Sequence, residues 1–325
     1  MYVVRNDSHD PYYNLALEEY LFREFPEDCI MLWQNSAAVI VGRFQNTPEE
    51  VNLPFLRENS IPVVRRITGG GAVYHDLGNL NFTFIEKNTT GKIDMERFSR
   101  RIAGALNQLG FPVQAAGRND LIIDGRKVSG AAQHQTKERV LHHGTLLYQV
   151  NMENLAASLN VKAAKISSKG VTSVRSRVAN LVEYAADPQP IPELAGRLAE
   201  LLTNGQGENY FLSEQELEKV EKICGEKYRL REWNFGRSPA YNLMKIGRLA
   251  GGMVECYLQL DSGIIQNCRI FGDFFSTLPI EELEQELVGL QFNRQALAAK
   301  LPEAKLRAHL GDITLQEFSD LLFQS

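Results

Sequence analysis

Asp124-Gly125 stands between two short runs of strand-forming residues, Asp120 to Ile123 and Arg126 to Ala131. A two-residue reversal of a strand needs left-handed backbone at its centre, and an Asp-Gly pair accepts that with little strain. The two runs are therefore expected as antiparallel neighbours. Ile30 to Trp33 and Ala38 to Val41 read as a second pair, joined at Asn35-Ser36. Strands that arrive mostly in hairpins favour an α+β fold over a doubly wound parallel sheet. The expectation is a mixed, mostly antiparallel sheet with helices packed on it.

The remaining pattern fits that reading. Pro11 to Phe25 carries Leu15, Ala16, Tyr20 and Leu21 at helical spacing, with acids between. Thr47-Pro48-Glu49-Glu50 is a helix start, predicting a helix to Glu58. Ile61 to Arg65 and Ala72 to Tyr74 read as short strands around a glycine run, and Leu80 to Ile85 alternates as a strand. Met95 to Leu109 is an amphipathic helix stopped by Gly110 and Pro112, and Leu141 to Val150 is a further strand. Two helices follow, Glu193 to Thr203 and Ser213 to Cys224, before the pattern breaks at Trp233 to Pro239. Sheet is expected again over Gly247 to Leu260 and Gly263 to Ile270, then helices over Ile280 to Leu290, Asn293 to Lys300 and Thr314 to Phe323. The division expected is a larger domain over 1–238, a linker over 239–246 and a smaller unit over 247–325.

A chain of 325 residues is long enough for about two domains, at roughly 150 residues each, and for a core that needs no disulfides. The net charge of −5 gives no general affinity for nucleic acid. The four cysteines, Cys29, Cys224, Cys256 and Cys268, are scattered and form no close pair, which suggests a reducing compartment. Met1 to Asp7 lacks the apolar core of a signal peptide, and no membrane-spanning run stands out. A soluble cytoplasmic protein is expected, without nucleic-acid or membrane partners.

Three constellations carry chemistry. In Arg65-Arg66-Ile67-Thr68-Gly69-Gly70-Gly71, followed by Ala72-Val73-Tyr74-His75-Asp76, three glycines allow the backbone to approach a ligand closely. Their N–H groups can form an anion nest, and the arginines add charge for carboxylate or phosphate. The block is neither a Walker A loop nor a G-x-G-x-x-G fingerprint. In the second, Lys127 follows the Asp124-Gly125 turn as a compact charge with three donors. Asp120 is a metal ligand, a ribose ligand or merely a strand-end carboxylate. In the third, His142 and His143 are adjacent on a strand and point to opposite faces, so they cannot share one metal. No nucleophile elbow surrounds Ser129 or Thr145.

With these residues in view, the chain resembles the lipoate–protein ligase A family. The resemblance rests on Arg65 to Asn81, Gly117 to Ala132, His142 to Leu147 and Gly170 to Asn180. Asp10 to Ala16 also fits, and Trp233 to Tyr241 looks like the junction to an accessory C-terminal domain. Ala131 stands where a serine is common. The resemblance implies a biotin-protein-ligase-like (class II synthetase-like) α+β catalytic domain with a smaller α/β accessory domain. It implies that lipoate and ATP give lipoyl-AMP and pyrophosphate, helped by Mg²⁺. The lipoyl group then passes to a lysine of a lipoyl domain, on E2 subunits of 2-oxoacid dehydrogenases or on the glycine cleavage H protein. By the same resemblance Lys127 is the catalytic residue, touching both the lipoate carboxyl and the α-phosphate. Arg66, Gly71, Ala72, Val73, Tyr74 and Asp120 are nucleotide positions, Asp120 also sits near the metal, and Gly70 and His75 line the lipoyl slot.

The residue chemistry is compatible with this. Adenylation brings a carboxylate against a polyanion, and fixed cations and backbone donors lower that barrier without a protein nucleophile. The alkyl chain needs an apolar slot, for which Val73, Val39 and Val41 are candidates. The alternative is an ATP-independent octanoyl or lipoyl transferase of the same fold, working through a cysteine thioester. Neither Cys29 nor Cys224 lies near a motif or in an electropositive setting. A non-catalytic lipoate-binding protein would be expected to have lost Lys127 or the arginine pair, and both are present.

Overall fold

The structure is a computed structural model that describes residues 1–89, 93–117, 119–160, 177–235 and 241–323. In chain order its strands are β1 (Tyr2–Val4), β2 (Cys29–Trp33), β3 (Ala38–Val41), β4 (Val63–Arg65), β5 (Val73–His75), β6 (Asn79–Lys87) and β7 (Gln114–Ala116). They continue as β8 (Asp120–Ile123), β9 (Arg126–Gln135), β10 (Arg139–Leu147), β11 (Glu208–Tyr210), β12 (Leu243–Leu249), β13 (Gly252–Asp261) and β14 (Ile264–Gly272). The largest sheet runs β11-β1-β2-β6-β10-β9-β8-β7. It is mixed: β1 lies parallel to both β2 and β11, and every pairing from β2 to β7 is antiparallel. The α+β expectation holds.

Alternation along β6 decides what lies on each face. Leu80, Phe82 and Phe84 enter one core with the helices Met95–Gln108 and Ile191–Leu202. The opposite face packs against the helix Pro11–Glu24, whose Leu15, Ala16, Tyr20 and Leu21 are buried as their spacing required. The acids between them are not solvated, however: Glu18 and Glu19 are buried. A second sheet, β4-β3-β5, packs over this face through Ile40 and Val64. The glycine run is the connection between its two edge strands.

The Asp124-Gly125 turn is present, with φ of +50° and +74°. The hairpin expected at Asn35-Ser36 is not. β2 and β3 belong to different sheets, and the connection carries the chain from one layer to the next. The helix expected over Thr47 to Glu58 is two helices, Thr47–Glu50 and Leu53–Glu58. Val51 bridges Leu159, and Asn52 caps the second helix ahead of Pro54.

The C-terminal unit is an antiparallel meander, β12-β13-β14, followed by helices that include Ile280–Leu287, Glu303–Leu310 and Leu315–Phe323. β12 begins at Leu243, so the second half of the segment assigned to the linker is strand; residues 236–240 lie outside the described residues. The unit docks on the larger domain beside the glycine run. Phe44 stacks on Phe274 at 5.0 Å, and the Gly272 N–H donates to the Phe44 carbonyl at 2.7 Å.

Candidate active site

Register places one row of residues across five strands. Trp33 on β2 faces Asn81 on β6, which faces Thr145 on β10, then Gly130 on β9, then Asp120 on β8. All five line a pocket of about 300 Å³ between the large sheet, the glycine run and the C-terminal unit. One end is apolar, walled by Leu15, Trp33, Ile40 and Val73; the other holds Lys127 and Asp120. Val39 and Val41, expected in the slot, point the other way. Strand alternation sends them into a separate core with Leu147 and Val150, and Ile40 takes the slot position.

Lys127 Nζ lies 2.7 Å from an Asp120 carboxylate oxygen, with both side chains about a third exposed. Gly130 permits this: a Cβ there would stand 2.9 Å from Nζ. The site includes no cluster of three or more His, Cys, Asp or Glu able to hold a metal among the described residues. Asp120 is nonetheless a hard oxygen donor of the kind Mg²⁺ takes together with substrate phosphates.

The two arginines part company. Arg65 is turned away from the pocket. Its guanidinium donates to the carbonyls of Gly42, Arg43, Gln45, Trp233 and Asn234 and to Thr47 Oγ1. It fastens the segment before residue 236 to β4 and is not available to a ligand. Arg66 lines the pocket. It donates to the Gly69 and Gly71 carbonyls at 2.6 and 2.9 Å, to the Ile40 carbonyl at 3.2 Å and to Thr68 Oγ1 at 2.9 Å. Burial pulls it down to about 10, which leaves it charged at neutral pH.

The glycines serve different ends. Gly70 has φ of +88°, a conformation that side chains resist. A Cβ on Gly69 would meet the Phe274 carbonyl oxygen at 2.3 Å, so this glycine admits the C-terminal unit. Gly71 faces open space. Ala72 and Val73 line the pocket, but the Tyr74 ring lies in the core, which leaves only its backbone to a ligand.

His75 and His143 both line the pocket. Asn35 Nδ2 donates to His75 Nδ1 at 3.0 Å, so Nε2 carries the proton, and it meets no partner. Burial, with Arg66 and His143 nearby, drives this imidazole down to about 3, so it is neutral. His142 points to the other face, stacked on Phe98 at 4.5 Å. Sequence reasoning missed Trp33, Asn81, Glu18 and Thr145, as well as Arg248, Asp273 and Phe275, which the C-terminal unit contributes to the pocket wall. Period-two counting outward from His143 would have found Thr145; the other six depend on long-range pairing or burial. Arg118 and residues 170–176 of the fourth motif block lie outside the described residues.

With the geometry established, comparison with known proteins is decisive. The lipoyl protein ligase A/B catalytic domain matches residues 10–203, and the bacterial lipoate protein ligase C-terminus matches 238–322. The lipoate-protein ligase LplJ of Bacillus subtilis is 40% identical over 99% of this chain and 100% of its own. The chain belongs to the lipoate–protein ligase family. Lipoate–protein ligase 1 of Staphylococcus aureus is 38% identical over 99% of each chain. Among solved structures, P. falciparum LipL1 in complex with lipoate shares the fold at a TM-score of 0.81 and 21% identity, covering 100% of this chain and 99% of that one. A lipoate-protein ligase A bound with ATP aligns at 0.64 and 26% identity over 72% of this chain and 98% of its own. The catalytic and C-terminal segments follow one another on a single chain here.

Thiol chemistry has no footing in this pocket. All four cysteines are buried, none lines it, and burial pushes Cys29 up to about 12 and Cys224 upward.

Proposed function

We propose that the pocket activates lipoate with ATP and then passes the lipoyl group to a lysine of an acceptor protein. The observation that carries this is the cross-strand row, which joins an apolar end at Trp33 to a charged end at Lys127 and Asp120. An amphipathic acid lying along it places its chain beside Leu15, Trp33, Ile40 and Val73 and its carboxylate beside Lys127. In the first step a carboxylate oxygen attacks the α-phosphorus of ATP, the bond to the β-phosphate oxygen breaks, and pyrophosphate leaves. In the second, the acceptor's lysine nitrogen attacks the acyl carbon, AMP leaves, and the amine proton is lost to solvent.

Each residue's part follows from where it stands. Lys127 neutralises the meeting of carboxylate and phosphate, where charge grows in the transition state. Gly71, Ala72, Val73 and the Tyr74 backbone present the loop to the nucleotide, which Arg66 holds in shape. Gly70 and the neutral Nε2–H of His75 face the acyl group. Asp120 holds Lys127 in the free enzyme and, with ATP present, suits Mg²⁺ carried by the phosphates. Arg248, Asp273 and Phe275 supply the C-terminal unit's share of the wall, which supports a covering role in adenylation and withdrawal for the acceptor.

The acceptors that fit are lipoyl domains of 2-oxoacid dehydrogenase E2 subunits and the glycine cleavage H protein. A solved structure from Thermoplasma acidophilum, described as a bi-partite lipoate protein ligase and its E2 lipoyl domain, aligns at a TM-score of 0.66 and 28% identity. No helix of the described residues is long and apolar enough to cross a membrane, and we place the reaction in the cytoplasm. The test is lipoate-dependent exchange of labelled pyrophosphate into ATP, followed by lipoylation of an apo lipoyl domain. Transfer from an acylated carrier without ATP would overturn this reading in favour of the thioester alternative.

A further inference from the structure

Glu18 is a carboxylate 1% exposed on the helix Pro11–Glu24, deep beneath the pocket. It takes three hydrogen bonds from two neighbours. Thr83 Oγ1 donates to it at 2.7 Å, and His143 Nδ1 lies 2.7 and 2.8 Å from its two oxygens. Thr83 Oγ1 in turn accepts from Trp33 Nε1 at 2.9 Å. On the far side of the imidazole, His143 Nε2 lies 2.8 Å from Thr68 Oγ1, which accepts from Arg66 Nε at 2.9 Å.

Donor and acceptor types orient this chain. Arg66 Nε only donates and an ionised carboxylate only accepts. Thr68 Oγ1 therefore accepts from Arg66 and is hydrogen-bonded to His143 Nε2. The ring donates from Nδ1 to Glu18. Both ring nitrogens are spent, so His143 is no base for the acceptor amine, although it lines the slot. Among the described residues Arg66 has no ion-paired carboxylate, and Glu18 is its buried counter-charge, reached through one imidazole and one hydroxyl.

We propose that Glu18, His143 and Thr68 form a positioning relay that orients Arg66, and through it the carbonyls of Gly69 and Gly71, for the nucleotide step. The inference rests on the ATP-dependent reading above. The relay begins at Trp33, in the acyl end of the slot, and finishes at the glycine loop, so one hydrogen-bonded chain joins the two ends of the reaction. Thr68 and Glu18 touch no reacting atom; they act through Arg66.

Thr68→Val keeps the shape of the side chain and removes the hydroxyl, leaving buried Arg66 Nε and His143 Nε2 unpaired. The expected result is a fall in kcat for lipoyl-AMP formation of about 10- to 10²-fold, with KM for lipoate nearly unchanged. Thr68→Ser restores the hydroxyl and should recover most of the rate. Glu18→Gln, which removes the counter-charge from the other end, should show the same split, and Glu18→Gln with Thr68→Val should lose little more than either alone, because a broken chain is broken once. Lipoate-dependent pyrophosphate exchange by the wild-type enzyme tests the underlying reading separately. Equal rates for Thr68→Val and Thr68→Ser, a loss confined to KM for lipoate, or additive losses in kcat would each overturn the relay.

Discussion

Gly130→Ala moves the central cation of the site without removing it. The added Cβ would stand 2.9 Å from Lys127 Nζ and 3.0 Å from Cε. Ordinary contacts of this kind lie near 3.5–4.0 Å, so the ammonium must retreat by about 0.5–1 Å. The fold should accept this. Gly130 has no positive φ, and the obstructing atoms are the far end of a flexible side chain. Alanine also removes some of the entropy that glycine loses in a strand, about 0.5–1 kcal/mol, so the melting temperature should hold or rise slightly. Catalysis has no such slack: a displacement of about 1 Å in a charged group at the reacting centre can cost about 10²-fold. Adenylation, read by lipoate-dependent pyrophosphate exchange, should therefore fall by roughly 10–10²-fold in a protein at least as stable as wild type. Lys127→Ala combined with Gly130→Ala should be no worse than Lys127→Ala alone. A stable Gly130→Ala enzyme with wild-type exchange would show that the position of Lys127 Nζ does not matter, and would remove Lys127 from the chemistry.

Other substitutions separate ligand contact from architecture. Lys127→Ala should lower adenylation by about 10²-fold or more, and Lys127→Arg should rescue it poorly, because a planar fork does not replace a compact charge; near-normal lipoyl-AMP formation by either would return Lys127 to a solvated strand position. Gly71→Val meets nothing in the free protein, so it should fold normally and lose nucleotide use, whereas normal adenylation would make the loop a mere turn. Arg248→Ala, or a chain ending at residue 237, should harm adenylation more than transfer from supplied lipoyl-AMP; equal losses would count against a covering role for the C-terminal unit. Acid should destabilise the protein through its buried histidines. Burial holds His75 at about 3, His134 at about 4 and His142 well below its usual 6.5. Below pH 6.5 the unfolded chain takes protons that the folded one refuses, so stability falls as pH drops, by up to about 1.4 kcal/mol per pH unit for each group. His142→Phe, in a ring stack where neither nitrogen has a partner, should flatten that slope by up to one such increment, read from urea midpoints at pH 7 and pH 5.

Local chemistry was legible wherever it decided the outcome locally. The Asp124-Gly125 turn and the helix Met95–Gln108 needed only backbone preference and spacing. Asn35-Ser36 misled because a polar pair marks a turn without saying whether the strands it joins will pair with each other. β1 and β11 are three residues each and pair in parallel across some two hundred positions, a match no local pattern announces. At the site, the glycine run, Lys127 and His75 were visible as residue types, and Gly70, Gly71, Lys127 and His75 all reach one pocket. The division of labour between Arg65 and Arg66 was not, since Arg65 ends β4 and Arg66 begins the loop after it, and which of the two faces the pocket is set by packing. Glu18 was hidden for a related reason. An acid within an amphipathic helix looks solvated until the histidine that accepts it as a partner arrives from 125 positions away.

The row from Trp33 to Asp120 also has a metric consequence. A ligand lying along it crosses strands at right angles, so its length is gauged in inter-strand steps of about 4.8 Å set by backbone hydrogen bonds. Side-chain substitutions along the row can widen or narrow such a gauge but do not change its spacing, because the graduations are peptide groups; only a side chain at its end sets where it stops. An acid with too few carbons would leave its carboxylate short of Lys127 when its tail is seated at Trp33, and one with too many would overrun the mark. Selection by chain length would then be a property of the sheet itself, and changing the preferred length by design would mean rebuilding the stop at Trp33 rather than the chemistry at the other end.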